Sequence, residues 1–428
     1  MNKVTVELTE WEQKNPEKGN ELFNYFFEDE EARKKADYLT GQHILNIVEL
    51  KNGIKIAAYS YVGRIRIGNL KINIRPKIKG MKLYKLLKYA YGLRDITLFS
   101  ETLHGIDNFP FCDILIYQLC IEAEELILRG MTRKYVQFSD DLNIQRGRID
   151  FKKLAGQISS STHPCSFFKR SDDHLLNRVL LAGLKAGIRL TEDLTLKIKL
   201  HRLCSIMEES VKSQEINRDI LLRASAHIDR LNEKYGHALE IIKILYESQG
   251  IQSEDGSHIR IHGFFFDMNR FFQALISRLL HDFLEGYKIQ DERRLYDMFS
   301  YSPEYNPWKK KSPVLKPDFS VMEGKKVKCF LDAKYKDLWN NQLPAYMLYQ
   351  LAIYAVSGEG NHTSRILYPV TDGSEAKVQK IDIKNLAGRD RYGQVILQPV
   401  DLDRLVVLLD ESKKDRRKIK DYISKIVL

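Results

Sequence analysis

Two carboxylates and an amine in the last third of the chain have the types and spacing to hydrolyse a phosphodiester. Residues 314–336, VLKPDFSVMEGKKVKCFLDAKYK, hold two apolar-alternating runs on either side of the polar turn Glu323-Gly324-Lys325-Lys326. Pairing the runs as a hairpin about that turn sets Asp318 nearly opposite Asp332. Asp332 and Lys334 are two apart, so they share one face of their strand. Acids this close repel unless positive charge sits between them. A divalent cation meets that need. Magnesium takes one or two carboxylates and completes its shell with water and phosphate oxygens. It acidifies a bound water and stabilises charge on a phosphodiester in transition. A lysine beside it orients the attacking water or neutralises developing charge. Pro317 pins the entry to the first strand, where proline is tolerated. The opposing reading is a set of surface strand charges, since Asp-Ala-Lys is a common triplet. Against it, Phe319, Phe330 and Leu331 surround the acids with apolar side chains, where an unpaired charge is costly.

Further candidates lie around this trio. Gln350 and Tyr354 are four apart in AYMLYQLAIYAVSG and fall on one helical face. They form either a second layer of the site or polar positions of an amphipathic helix. Lys309, Lys310, Lys311 and Lys316 crowd the approach to Asp318. Such a cluster is usually a solvated loop; beside a metal it is placed to hold DNA phosphates.

The elements that must position these groups begin with a helical pattern, MNRFFQALISRLLHDFLEGY. Strand-like KPDFSVM and KVKCFLDAKY, helical AYMLYQLAIYAVSG and strand-like RILYPV follow. That order predicts an α/β domain with a mixed central sheet over 258–428. Residues 1–80 read as β-rich. In YVGRIRIGNLKINIRPKI, Ile65 and Ile67 point opposite to Arg64 and Arg66, and alternation resumes after Gly68-Asn69, a hairpin signal. The basic residues there read as a solvated sheet face. Residues 81–257 read as mostly helical, with CDILIYQLCIEAEELILRG stopping at Gly130. Within them 140–172 reads as an irregular, Ser-rich connection. The breaker-rich stretch 248–260 marks the main boundary. The expectation is an α/β multi-domain chain.

Bulk properties agree. A chain of 428 residues is too long for one core. Its net charge of +11 favours polyanionic partners without proving one. The five cysteines are odd in number and lack a CxxC pair, which argues against a disulfide framework or zinc site and fits a reducing cytoplasm. The N-terminus has no apolar signal-peptide core, and no apolar run suits a bilayer, so no membrane partner is expected.

At PD (317–318), DAK (332–334) and QLAIY (350–354) the chain resembles the PD-(D/E)XK nucleases. The resemblance extends to the McrC family through YVGRIRIGNLKINIRPKI, RGMTRKYV (129–136), QRGRID (145–150), DDHLLNRVL (172–180) and DMNRFFQ (267–273). It implies a PD-(D/E)XK domain with a mixed central sheet, Asp318 and Asp332 as Mg2+ ligands and the Ala333 carbonyl as a third. It also implies a catalytic Lys334, support from Gln350 and Tyr354, and double-stranded DNA as substrate. The implied partner is an AAA+ GTPase resembling McrB, bound through the N-terminal part. No GxxxxGK[ST] loop occurs here, so this chain is not the NTPase. One departure is Gln273, where the family commonly has glutamate; glutamine is a poorer magnesium ligand. Two alternatives stay open: an accessory subunit that mainly activates the NTPase, and a solitary defence nuclease.

Overall fold

The computed structural model describes residues 4–78, 80–93, 110–154, 161–249, 263–296, 298–371, 376–385, 390–412 and 415–428. Two units make up the chain. One comprises Met1–Val62, Ile67–Leu93 and Asp267–Leu428; the other comprises Gly63–Arg66 and Arg94–Phe266. This differs from the expected division into 1–80, 81–257 and 258–428, because most of the N-terminal region belongs with the C-terminal one. The expected boundary at 248–260 falls largely on 250–262, outside the described residues.

The first unit begins with β1 (Val4–Thr9), β2 (Gln13–Lys14), α1 (Glu30–Gly41), β3 (Leu45–Leu50), β4 (Gly53–Ala58), β5 (Tyr61–Ile67), β6 (Leu70–Arg75) and α2 (Gly80–Tyr91). Residues 63–66 of β5 belong to the second unit. Strand β1 runs parallel to β6, with Val4 opposite Leu70. Strands β2, β4 and β3 form a separate antiparallel sheet. Gly68, at φ +56°, turns the chain between β5 and β6 as the Gly-Asn pair predicts. Helix α1 interrupts the β-rich expectation. Its signal is local: Asp29 caps it by accepting from the Ala32 N–H, and Glu30 and Glu31 sit in the first turn, where the helix dipole favours acids.

The second unit contains α3 (Phe111–Leu128), β7 (Lys134–Leu142), β8 (Arg148–Ile149), α4 (Phe151–Leu154), β9 (His163–Ser171), α5 (Leu175–Leu190), α6 (Leu194–Glu208), α7 (Arg218–Ala226), α8 (Gly236–Ser248) and most of β10 (Gly263–Asp267). The helical expectation holds for α3 and α5 to α8. It fails for 134–171, where an antiparallel sheet runs in the order β7-β9-β8. Large apolar side chains lie on both of its faces, Tyr135 and Phe168 on one and Phe138 and Phe167 on the other, so its strands lack a clean apolar alternation. Gly147, at φ +72°, lets β8 close on β9: a Cβ there would lie 2.4 Å from the Ser166 carbonyl oxygen. Arg64 overturns the solvated-face reading at its position. Its side chain is 12% exposed, donates to the Leu190 carbonyl, and lies 3.7 Å from Asp113 and 3.8 Å from Glu192.

The first unit resumes with α9 (Met268–Phe283), β11 (Lys288–Asp291), β12 (Phe319–Glu323), β13 (Lys326–Ala333), α10 (Ala345–Val356), β14 (Thr363–Val370), β15 (Gln379–Lys384), β16 (Arg391–Asp401), α11 (Leu402–Glu411) and α12 (Arg417–Val427). Six strands form one sheet in the order β11-β12-β13-β14-β16-β15. The β11–β12–β13 pairings are antiparallel, β13–β14–β16 parallel and β16–β15 antiparallel. This is the expected mixed sheet; β11, β15 and β16 are additions to it. Strand β13 lies inside the sheet and is buried from Cys329 to Ala333, so its end is a continuous apolar run broken by Asp332. Phe330, Leu351, Tyr354, Ile366 and Tyr368 pack the sheet against α10. All five cysteines are free and buried. No helix among the described residues is long and apolar enough to cross a membrane.

Candidate active site

The hairpin of β12 and β13 pairs Phe319 with Leu331 and Glu323 with Lys326, with a bulge between Val321 and Met322. Continued one step, this register sets Asp318 against Asp332. The side chain of Asp332 is 4% exposed, that of Asp318 16% and that of Lys334 28%. Lys334 Nζ lies 3.0 Å from Asp332 Oδ2 and 3.2 Å from Asp318 Oδ2. Asp318 is further held by the Ala333 N–H, which donates to Oδ2 at 2.9 Å, and by Gln273 Nε2, which donates to Oδ1 at 3.2 Å. Asp332 Oδ1 is buried and has no hydrogen-bond partner.

These contacts set the electrostatics. Burial, then the Asp318 charge, push the Asp332 carboxyl up to about 6 against the pull of Lys334. Burial works against the Lys334 ammonium, but the two carboxylates outweigh it and hold its pKa above the ordinary value. With all three ionised, the cluster is one positive charge short. An orphaned carboxylate oxygen beside an excess negative charge fits a hard cation. Among the described residues no group of three or more His, Cys, Asp or Glu side chains gathers to hold a metal. An ion here would therefore take two carboxylates from the chain and keep several waters, which is magnesium's habit. The bond that Ala333 makes to the cluster is through its N–H.

The surrounding residues divide. Gln350 Nε2 donates to the Tyr354 hydroxyl at 2.8 Å on one face of α10. Tyr354 is buried against Phe330, ring centroids 5.9 Å apart. Burial, then other local contacts including the charges of Asp332 and Asp318, raise its phenol pKa. Neither residue has a hydrogen bond to the trio; Tyr354 lies near enough to feel the charges of Asp332 and Asp318. Lys316 is spent on Glu292 at 2.6 Å. Lys309, Lys310 and Lys311 are exposed, and Asn306 ties their backbone down by accepting from the Lys310 N–H at 2.8 Å. Glu285 lies beyond the end of α9 and pairs with Lys420, away from the trio.

Sequence reasoning missed the layer that braces the site. Asp267 caps α9 by accepting from the Asn269 and Arg270 N–H groups. Asn269 and Gln273 are four apart on that helix and share a face. Gln273 holds Asp318, and Asn269 Oδ1 accepts from the Tyr335 N–H at 3.1 Å, fixing the backbone next to Lys334. Asn269 Nδ2 in turn donates to Ser60 Oγ at 2.6 Å. The Tyr335 hydroxyl donates to Glu10 Oε1 at 2.7 Å, and the Lys77 N–H donates to the same oxygen at 2.6 Å. Glu10 is fully buried, and burial pushes its carboxyl up to about 7 although both hydrogen bonds lower it. The N-terminal strands therefore reach the residue that follows Lys334. Asn269 stands in DMNRFFQ, a motif the sequence singles out; an acid at the end of β1 carries no such signal.

Known proteins place this arrangement. The family described as McrBC 5-methylcytosine restriction system component matches residues 56–369. No curated protein matches the chain. Among solved structures, a chain of the refined half-complex from a tetradecameric assembly of Thermococcus gammatolerans McrB AAA+ hexamers with bound McrC is similar at 20% identity and TM-score 0.58, over 93% of this chain and 95% of that one. A chain of the Thermococcus gammatolerans McrBC complex aligns at 21% identity and TM-score 0.47, over 67% of this chain and 89% of that one. With a family match across most of its length and a shared fold along nearly all of it, this chain belongs to the McrBC family of 5-methylcytosine restriction system components.

Proposed function

We propose that this chain is the magnesium-dependent DNA endonuclease subunit of a modification-dependent restriction complex, and that it stimulates an AAA+ GTPase partner resembling McrB. The observation that carries the reading is the buried Asp318–Asp332–Lys334 cluster with its unpartnered Asp332 oxygen. We read 267–428 as a PD-(D/E)XK nuclease domain, because α9, antiparallel β11–β12–β13, α10 and parallel β14 follow in that order. Asp318 and Asp332 would hold Mg2+, with the Ala333 carbonyl as a further ligand. The ion would supply positive charge to the phosphodiester and acidify a water. Lys334, bridging the two acids, orients that water and neutralises charge as the bond breaks. Gln350 and Tyr354 back the site from α10. Lys309, Lys310 and Lys311 would hold backbone phosphates of the duplex, and Lys316 would join them by exchanging Glu292 for a phosphate. The partner is carried over from the similar solved chain, which comes from an assembly of McrB hexamers with bound McrC. We place the complex in the cytoplasm.

One observation favours a second reading, an accessory subunit with a weakened site: Gln273 meets Asp318 as a neutral donor and adds no third carboxylate. The test separates the two. The chain is combined with an AAA+ GTPase resembling McrB, GTP, Mg2+ and methylated duplex DNA. Cleavage that disappears with Asp332→Asn while GTP turnover persists supports the nuclease reading. Stimulated GTP turnover without cleavage by the wild type replaces it with the accessory one.

A further inference from the structure

Residues 129–171 of the second unit have no role in the reading above. They carry nine lysines and arginines against three aspartates, a net +6 out of +11 for the whole chain. More than half of the excess positive charge is thus concentrated around the β7-β9-β8 sheet. The register sorts that sheet's side chains by face. Tyr135 stands opposite Arg170, Gln137 opposite Phe168, and Ser139 opposite Ser166, which on its other side faces Arg148. Directly paired residues point the same way, so all of these share one face.

That face is open. Tyr135 is 69% and Phe168 64% exposed, and Arg148 and Arg170 are exposed beside them. The other face is more covered: it carries buried Cys165 and the stacked Phe138–Phe167 pair at 6.2 Å, with Phe138 39% exposed. Neither Arg148 nor Arg170 has an acid partner among the described residues. Of the acids along this face, Asp141, opposite Pro164, lies at the far end, Asp172 is paired with Arg133 at 3.1 Å, and Asp150 accepts from the Lys152 N–H. Gln137 Nε2 donates to Ser166 Oγ at 2.6 Å and so holds the polar ground beside Phe168.

Flat rings left in water among guanidinium groups match one ligand class. Bases stack on exposed aromatic rings, and arginines pair with phosphates. Tyr135 and Phe168 are diagonal neighbours, about 7–8 Å apart, so bases of one strand reach both. A duplex hides its base faces, so the rings select unpaired nucleotides. We propose that the open face of β7, β9 and β8 binds a single strand of nucleic acid, with bases on Tyr135 and Phe168 and phosphates on Arg148 and Arg170. The site uses none of the residues of the Asp318–Asp332 cluster and does not rest on the nuclease reading.

The test uses the full chain in EDTA, so that no metal chemistry enters. Labelled oligothymidylate, oligouridylate and a matched DNA duplex are titrated by fluorescence anisotropy. Either single strand should bind more tightly than the duplex, and the better of the two identifies the sugar. The double variant Tyr135→Ala/Phe168→Ala should lose about tenfold affinity or more per ring for the single strand, with unchanged thermal melting. Arg148→Gln/Arg170→Gln should flatten the slope of log affinity against log salt by about 1.4. Photocrosslinking of a strand containing 5-iododeoxyuridine reads the wild type directly and should label Tyr135 or Phe168. Crosslinks confined to other residues, or undiminished single-strand affinity in a folded ring variant, overturn the proposal. So does a ring variant that keeps its nucleic-acid affinity but no longer associates with an AAA+ GTPase resembling McrB, which would make this face a protein-docking surface.

Discussion

Each unit of the molecule carries a cluster of two acids and one cation, and the two clusters differ in how far they are buried. In the first unit Lys334 bridges Asp318 and Asp332, whose side chains are 16% and 4% exposed. In the second, Arg64 lies between Asp113 and Glu192, but the Glu192 side chain is 53% exposed. Both clusters contain a buried aspartate with an orphaned Oδ1, and burial raises the pKa of Asp113 as well. The difference is where the second negative charge goes. Water screens Glu192, so Arg64 faces one buried acid and the pair is balanced. Both acids of the first cluster are withdrawn from water, so one lysine cannot balance them. A balanced buried pair is structural; a buried cluster short of positive charge has a demand left over, which a bound cation would meet.

The largest effect should come from removing the two cations. Lys334→Ala leaves two desolvated carboxylates facing each other and should cost about 3–5 kcal/mol, together with loss of cleavage. Arg64→Ala should cost a similar amount through Asp113. The comparison predicts that millimolar Mg2+ restores much of the melting temperature of Lys334→Ala and none of that of Arg64→Ala. Equal rescue of both, read by calorimetry, would break it.

A smaller effect concerns Glu10. Its folded pKa of about 7 stands above the ordinary value for a glutamate, so the folded chain binds a proton that the unfolded chain releases. Stability from this group is therefore greatest below about 4.5 and falls as pH rises through 7, by about 3 kcal/mol in all. Glu10→Gln keeps the oxygen that accepts from Tyr335 and Lys77 and removes the titration. Its melting temperature at pH 8 should exceed that of the wild type, and the advantage should vanish near pH 5. A constant difference across that range would show that Glu10 is not the group responsible.

The smallest effect is expected at Gln273. A glutamate there adds a third carboxylate beside Asp318 and removes the donor that now holds Oδ1. Gln273→Glu should lower the Mg2+ concentration for half-maximal binding several-fold and lower the melting temperature without metal. An unchanged metal titration would place this residue outside the ion's reach.

The candidate site was legible because its parts are close in sequence. A turn and two period-two runs put Asp318 across from Asp332, and the observed register agrees. The second cluster was not legible, since Arg64, Asp113 and Glu192 come from three distant segments, and period-two patterning alone assigned Arg64 to water. Glu10 and Ser60 were hidden for the same reason: their partners Tyr335 and Asn269 lie more than two hundred residues away in sequence. The mixed sheet could be anticipated from element order, but its edge strands β11 and β15 could not. They are short or half-exposed, and their pairing is set by neighbours that sequence pattern does not name. The β7-β9-β8 sheet escaped because Tyr135 and Phe168 put aromatic rings on the open face, which blurs the alternation.

The first unit is assembled from both ends of the chain, with Glu10 and Ser60 bonded to Tyr335 and Asn269. A ribosome makes the N-terminal half of that unit long before the other half. At about 5–20 residues per second, Ser60 waits roughly 10–40 seconds for Asn269 to emerge. During that interval the second unit can close on itself, whereas Glu10 and Ser60 lack the Tyr335 and Asn269 side chains they will bond to. Nascent chains stalled before residue 267 should therefore expose the N-terminal strands to chaperones and proteases while the middle of the chain resists both. Ordered synthesis therefore makes Glu10 and Ser60 first and leaves them unbonded until Asn269 and Tyr335 follow, so a product cut short between them lacks the bracing of the Asp318–Asp332–Lys334 cluster.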